Sequence, residues 1–473
     1  MQARLVFHSL RCCPYAHLTQ LRSVTTRSGC ITSAETVLLE HQSVDELLTA
    51  LSSDSPFSAV VVSLSPQSSA SLAATLRVSP TVAGEALRSL FASLGVAAVV
   101  DTAAFRELSL LETGAELVNR LSPPPGATAS PSPLPLLACA CPGWVCYVEK
   151  HKDAELLLRH ASRVKSPQAV AGTLVKRLWA ARRGVAPERV YHCSVMPCYD
   201  KKLEAARDDL RTPCGAAETD CVLTTGEVLA ELLRGQQRGS ASQPHDSSPP
   251  QHHAAPARPL PMPVDDDAIW SEAGCVAPGG GSGGYAHAAA VAATTALWGA
   301  AYTHLGPLPW TKRGAGDDFR EAVLTPPSGC GSGRVLRFAA VYGFRNITTL
   351  VRMLKRGSAG GGGGGSAAPY DYVEVMACPS GCLNGGGQAK PEAGPLDEAP
   401  MTHKQALEAA DKAYYGAESS SGAGERASPG GHPLVGATYA WLGGGVGGDA
   451  ARAVLHTELH ARSRNAVAAL QNW

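Results

Sequence analysis

The chain has 473 residues, enough for two or three compact lobes, and its 41 lysines and arginines balance 41 aspartates and glutamates, which argues against a dedicated nucleic-acid or polyanion binder. Its 14 cysteines sit in a long chain with no apolar leader and cleavage site at its start, so a reduced compartment with some cysteines as metal ligands is a better reading than a disulfide scaffold. No stretch reaches the about 18 unbroken apolar residues that a membrane span needs.

In chain order, residues 1–34 contain no acidic side chain but carry Arg4, Arg11, Arg22 and Arg27, the composition of a transit peptide. Ala59–Leu64 is a β-branched run and reads as a strand. Pro80–Leu94 has helical spacing, and Val96–Val100 is a second strand. Val190–Val195 reads as a strand running into Met196-Pro197-Cys198. Tyr285 to Tyr302 is mostly alanine, with His287, Thr294 and Thr295, and reads as a packed helix. Val335–Val341 and Tyr372–Met376 are strands, the second ending close to Cys378. Ile347–Lys355 and Arg452–Leu470 have helical spacing. Alternating elements imply a mostly parallel α/β sheet covered by helices, with ligands beyond the carboxyl ends of strands, where Cys198 and Cys378 fall.

Three tracts look inserted. Gly235 to Pro263 is rich in Gln, Ser, His and Pro, Ser358 to Ala368 is nearly all glycine, and Lys390 to Pro433 surrounds one short helical stretch, His403 to Tyr414. Such compositions bury too little apolar surface to offset ordering entropy, so they read as loops or disorder. His245, His252 and His253 read as a solvated linker rather than a metal site. His456 and His460, four apart on the expected last helix, read as a polar face.

Three cysteine blocks stand out: Cys139-Ala140-Cys141-Pro142-Gly143-Trp144, then Met196-Pro197-Cys198-Tyr199-Asp200-Lys201, then Met376-Ala377-Cys378-Pro379-Ser380-Gly381-Cys382 followed by Gly385-Gly386-Gly387-Gln388. Soft thiolates hold iron, and a cubane has four corners to ligate. A Cys-x-x-x-Cys turn brings two thiolates together, and the glycines around Cys382 let backbone approach sulfide and donate N–H groups. On the residues alone, zinc or buried structural thiols remain open.

The blocks resemble the catalytic-domain signatures of iron-only ([FeFe]) hydrogenases, read there as TSCCPGW, MPCxxKxxE and MACxGGCxxGGGQ, over roughly residues 55 to 390. The resemblance implies a [4Fe–4S] cluster on Cys141, Cys198, Cys378 and Cys382, between two α/β lobes, with Met196, Met376 and Lys201 around it. In active hydrogenases a cysteine directly before the first ligand relays protons. Ala140 holds that position here, Cys139 is one residue early, and a methyl cannot move a proton.

Further blocks are similar to the eukaryotic Nar family, the iron-only hydrogenase-like or prelamin A recognition factor-like proteins. They are Ser28–Leu38, Val62–Ser68, Gly283-Gly284-Tyr285, Tyr342–Ile347, Trp441–Gly444 and Leu455-His456-Thr457. This likeness implies a non-catalytic [4Fe–4S] protein of cytosolic iron–sulfur assembly. It would link an early P-loop scaffold to a late targeting complex with a WD40-repeat subunit, for delivery to client apo-proteins. No nucleic acid or membrane is implied; the place is the cytoplasm, with the nucleus left open. The alternative is a hydrogenase reducing protons to hydrogen. Family members carry a second, N-terminal cluster on a CxxCxxC run. Here only Cys30 remains of it, with Arg27 and Val24 at the other positions and Cys12 and Cys13 at the wrong spacing. One intact site is therefore expected, and the start reads as translated flanking sequence rather than a presequence. Trp473 resembles a docking signal for the targeting complex. The roles of Cys139, Cys146 and Cys221 stay open. The expected organisation is an N-terminal cluster remnant (1–55), a first lobe (56–234), an insertion (235–265), a second lobe (266–390), a low-complexity insertion (391–434) and a C-terminal helix and tail (435–473).

Overall fold

A computed structural model describes residues 41–123, 132–138, 140–240, 268–271, 280–299, 306–314, 316–328, 330, 333–359, 369–390, 401–420 and 429–462. Cys12, Cys13, Cys30, Cys139, His245, His252, His253 and Trp473 lie outside these residues. The strands are β1 (Ala59–Leu64), β2 (Ala98–Asp101), β3 (Leu136–Ala138), β4 (Val190–Met196), β5 (Cys221–Thr224), β6 (Thr311–Lys312), β7 (Phe319–Leu324), β8 (Leu336–Tyr342) and β9 (Tyr372–Met376).

They form two sheets. The first has the order β2-β1-β4-β5 and is parallel throughout. The second has the order β3-β9-β8-β7-β6, with β3, β9 and β8 parallel and β7 and β6 antiparallel to their neighbours. The antiparallel edge departs from the parallel expectation because residues 325–335 join β7 to β8, fewer than the dozen or so residues a parallel crossover needs. The second sheet also draws β3 from the stretch expected in the first lobe, so the two lobes interleave in sequence. Strands β1, β4, β5 and β9 are buried at every position, which is why they read as unbroken apolar or β-branched runs.

Helices Pro66–Leu76 and Pro80–Ser93 each start with a serine cap, Ser65 and Ser79, and a proline in the first turn. The long helix Thr102–Leu121 packs against Tyr285–Trp298, the alanine-rich segment. A Cβ on Gly114 would stand 2.7 Å from the Ala292 Cβ, so the two helices meet at near-backbone distance. No helix among the described residues is long and apolar enough to cross a membrane.

Two expectations are corrected. Helix His403–Ser420 has 18 residues and is packed rather than looped out. Its Tyr414 is buried beside Ala70 and Leu383, and its hydroxyl accepts from Arg106 Nη1 at 2.8 Å. The helix begun at Asp449 ends at Leu455, and residues 456–462 are not helical, so His456 and His460 share no helix face. The buried Glu112 takes His456 Nε2 at 2.9 Å, and Thr457 N–H donates to the Arg163 carbonyl at 2.7 Å. These polar anchors turn residues 456–462 into an extended strap.

Candidate metal centre

Three of the four cysteines leave the carboxyl ends of parallel strands. Cys141 follows β3 and caps the helix Pro142–Lys150, Cys198 follows β4 ahead of the helix Asp200–Ala205, and Cys378 follows β9. Cys382 opens a short 3₁₀ turn, Cys382–Asn384. Between Cys378 and Cys382 the chain reverses through Ser380 (φ 58°) and Gly381 (φ 79°). At Gly381 a Cβ would stand 2.1 Å from Ser282 Oγ, and that oxygen accepts the Cys382 N–H at 3.1 Å. The Asp318 carboxylate fixes the same turn by accepting the Ser380 N–H at 2.6 Å.

The donor set has the chemistry an iron–sulfide core requires. Burial pushes all three of the Cys141, Cys198 and Cys382 thiols up, Cys382 to about 12. Proximity adds to this: Cys378 and Cys141 raise Cys198, and Cys141 raises Cys382. Four thiolates so close repel one another unless a cationic core lies among them. Backbone donors already point at two of the sulfurs: Ala377 N–H to Cys141 at 3.4 Å and Asp200 N–H to Cys198 at 3.3 Å. Among the described residues no three His, Cys, Asp or Glu side chains close on one point as a single ion requires.

The glycines do more than the sequence suggests. The Gly387 N–H donates to the Pro197 carbonyl at 2.9 Å, and the Gly387 carbonyl accepts the Gly226 N–H at 3.0 Å. A Cβ on Gly385 would lie 2.2 Å from the Pro197 oxygen. The segment after Cys382 is therefore pressed onto the end of β4, beside Cys198. Gln388 completes the clamp, accepting from Thr225 Oγ1 at 2.7 Å and donating to the Gln67 carbonyl at 3.1 Å. On the other side Gly143 brings the helix after Cys141 against the helix after Cys198, with its would-be Cβ 2.7 Å from Asp200 Oδ2.

Lys201, expected as a charge partner for the cluster, is shared. Its ammonium donates to Glu204 at 2.9 Å and Ser166 Oγ at 3.0 Å, while its charge lowers the Cys141 and Cys382 thiols. Met196 and Met376 are both buried as the last residues of β4 and β9. Two cavities of about 50 Å³ flank the cysteines, each with room for about three to five waters. One holds Cys141 and Cys146 in its wall, the other Cys382, Met196, Lys201 and Gln168; Ala140 lines both. Cys146 thus shares a cavity wall with Cys141. Cys221 is buried on β5 opposite Cys193, in the interior of the first sheet. Ser282, Glu204 and Gln168 were not singled out from the sequence. Ser282 lies in a glycine-rich run, and only Glu204, inside the MPC block, carried a usable signal.

The family model for the iron-only hydrogenase large subunit, C-terminal domain, matches residues 58–386. The chain is 40% identical to the cytosolic Fe-S cluster assembly factor narfl of Danio rerio, covering 94% of this chain and 98% of that protein. It is 39% identical to cytosolic iron-sulfur assembly component 3 of Bos taurus, covering 92% and 82%. With protein NAR1 of Arabidopsis thaliana it shares 38%, covering 96% and 88%. In structure it is similar to the apo [FeFe]-hydrogenase of Chlamydomonas reinhardtii, with a TM-score of 0.66 and 26% identity over 89% of this chain and 100% of that one.

Proposed function

The chain belongs to the Nar family of cytosolic iron–sulfur cluster assembly factors, kin to the [FeFe]-hydrogenase large subunit, and on that footing we propose that Cys141, Cys198, Cys378 and Cys382 carry one [4Fe–4S] cluster for non-catalytic assembly work. When bound, the cluster supplies a centre that is stored or passed on, in the cytosol where the relatives are named. The observation that carries this reading is the convergence of four mutually repelling cysteines, two buried and two part-buried, from both sheets. The chain's own residues exclude water with Trp144 and Met376, offset thiolate charge with the Ala377 and Asp200 N–H groups, and fix Lys201 through Glu204.

Ala140 is what speaks against proton reduction. A methyl stands there where the resembling hydrogenases place the relaying cysteine, and a methyl cannot pass a proton on. As partners we propose an early P-loop scaffold, a targeting complex with a WD40-repeat subunit that docks at Trp473, and client apo-proteins. The test is anaerobic reconstitution of the full chain. About four irons and four sulfides, with no hydrogen evolved from a reduced donor, are the expected result. One iron without sulfide would sink the cluster assignment, and hydrogen evolution would sink the non-catalytic one. The loaded protein without Trp473 should capture less of the targeting complex; equal capture removes that contact.

A further inference from the structure

The cavity beside Cys141 has walls of two kinds. One is packed core: Leu137, Trp144 and Val148 are each at most 2% exposed. The other is the strap, which contributes Thr457 and Leu459. The strap begins at a fixed point, since Leu455 is fully buried and its carbonyl accepts the Lys165 N–H at 2.9 Å. Beyond it, no residue from 456 to 462 is buried. Apart from His456 on Glu112 and Thr457 on the Arg163 carbonyl, the strap is held chiefly by Glu149. That carboxylate accepts the His460 N–H at 3.0 Å and pairs with Arg462 Nε at 3.2 Å, while the Glu149 carbonyl accepts the Arg462 N–H at 2.8 Å.

The side-chain attachments are of the weak kind: the Arg462 pair with Glu149 and the His460 Nε2 pair with Asp209 at 3.4 Å use side chains 46% and 53% exposed, where ion pairs contribute little. Glu149 does not depend on them, because Arg207 grips it with two bonds of 2.8 and 2.9 Å. The strap can therefore lift without leaving a buried carboxylate unpaired. Thr457 Oγ1, buried without a hydrogen-bond partner, loses none by leaving. Few buried apolar contacts and exposed hydrogen bonds mark a segment that opens below global unfolding.

The geometry points to residues 457–462 as a gate over the Cys141 side of the thiolate pocket. Lifting it lets solvent, a chelator or an acceptor's thiol reach Cys141 while the two lobes stay clamped through Gly387 and Gln388. The role rests on the reading of Cys141 as a cluster ligand.

The test compares anaerobically loaded full-chain protein with the double variant Arg462→Ala/His460→Ala, which removes the strap's exposed ion pairs and keeps its backbone bonds, and with Leu459→Ala, which thins it and keeps the ion pairs. Two rates are read: alkylation of Cys146 by iodoacetamide, mapped by peptide mass spectrometry, and iron transfer to a ferrous chelator. Both should rise about three- to tenfold in the double variant, the size expected from losing weak local contacts. Cys193, fully buried in β4, should stay unlabelled. Unchanged Cys146 labelling in both variants overturns the gate. So does Cys193 labelling that rises in step, because opening would then be global. A wild type that takes up no iron sinks the cluster reading instead, and Cys146 labelling still decides the gate.

Discussion

Two residues, Gly387 and His192, show how tightly the first sheet is packed. A Cβ on Gly387 would stand 2.8 Å from Thr224 Cγ2 and 3.1 Å from the Cys198 nitrogen, both on well-packed segments. Gly387→Ala is expected to cost about 1–3 kcal/mol through overpacking and to lower bound iron, read as thermal midpoint and iron content. Gly436→Ala is the control: nothing lies within 4 Å in the helix Pro433–Leu442, so the midpoint should hold or rise. His192 is wholly buried in β4, with Nε2 3.0 Å from Ser63 Oγ and Nδ1 3.0 Å from the Glu218 carbonyl. Burial lowers it to about 3 against the ordinary 6.5, only partly opposed by the Glu218 carbonyl. The folded protein thus refuses a proton that the unfolded chain accepts below 6.5. This stability is complete above 6.5 and falls as pH drops towards 3, by at most about 1.4 kcal/mol per pH unit. Urea midpoints between pH 7.5 and pH 5.5 should fall in the wild type and fall less in His192→Gln. Equal slopes would show that His192 is not the group responsible.

At the scale of elements, what could be read from sequence depended on what each segment packs against. β4 and β9 are buried by apolar neighbours on both faces, and their β-branched runs marked them to within a residue. The helix Thr102–Leu121 escaped notice because it buries Arg106, Glu107 and Glu112 along with its leucines, so polar residues interrupt the pattern. The C-terminal strap was taken for helix because its helical spacing persists past Leu455, whereas Glu112, Glu149 and the Arg163 carbonyl claim its polar groups. Charge–backbone anchors across 300 residues of sequence have no period to detect. Of helix His403–Ser420 the stretch His403 to Tyr414 was legible as helix, but its packing was not. Its flanks have loop composition, yet Tyr414 reaches Arg106 in the long helix. The cysteines were legible as ordered motifs. The purpose of Gly143, Gly385 and Gly387 was only half legible, since the atoms they make room for, at Asp200, Pro197 and Thr224, belong to distant strands and helices.

The whole molecule is two sheets whose carboxyl ends face a common set of thiols, unevenly shared. Cys141, Cys378 and Cys382 extend from the second sheet and Cys198 from the first. Without a core the thiols raise one another's pKa, and the lobes are joined by the glycine clamp and by the Gly143–Asp200 approach. A bound core would turn that repulsion into a cross-link between the sheets, and any group that binds only the folded state raises stability by mass action. Reconstitution should therefore raise the thermal midpoint of the wild type by several degrees, about 2–4 °C for each kcal/mol in a lobe of this size. Cys198→Ser is the informative variant, because it keeps the three ligands of the second sheet and removes the one that reaches across. Its iron-free midpoint should match the wild type, since Cys198 is only part-buried and its sulfur accepts a single N–H. Its rise on reconstitution should be largely lost. Should the variant bind iron and still gain the full wild-type shift, the cluster would be stabilising one lobe alone. The clamp of Gly387 and Gln388 would then be what holds the two together.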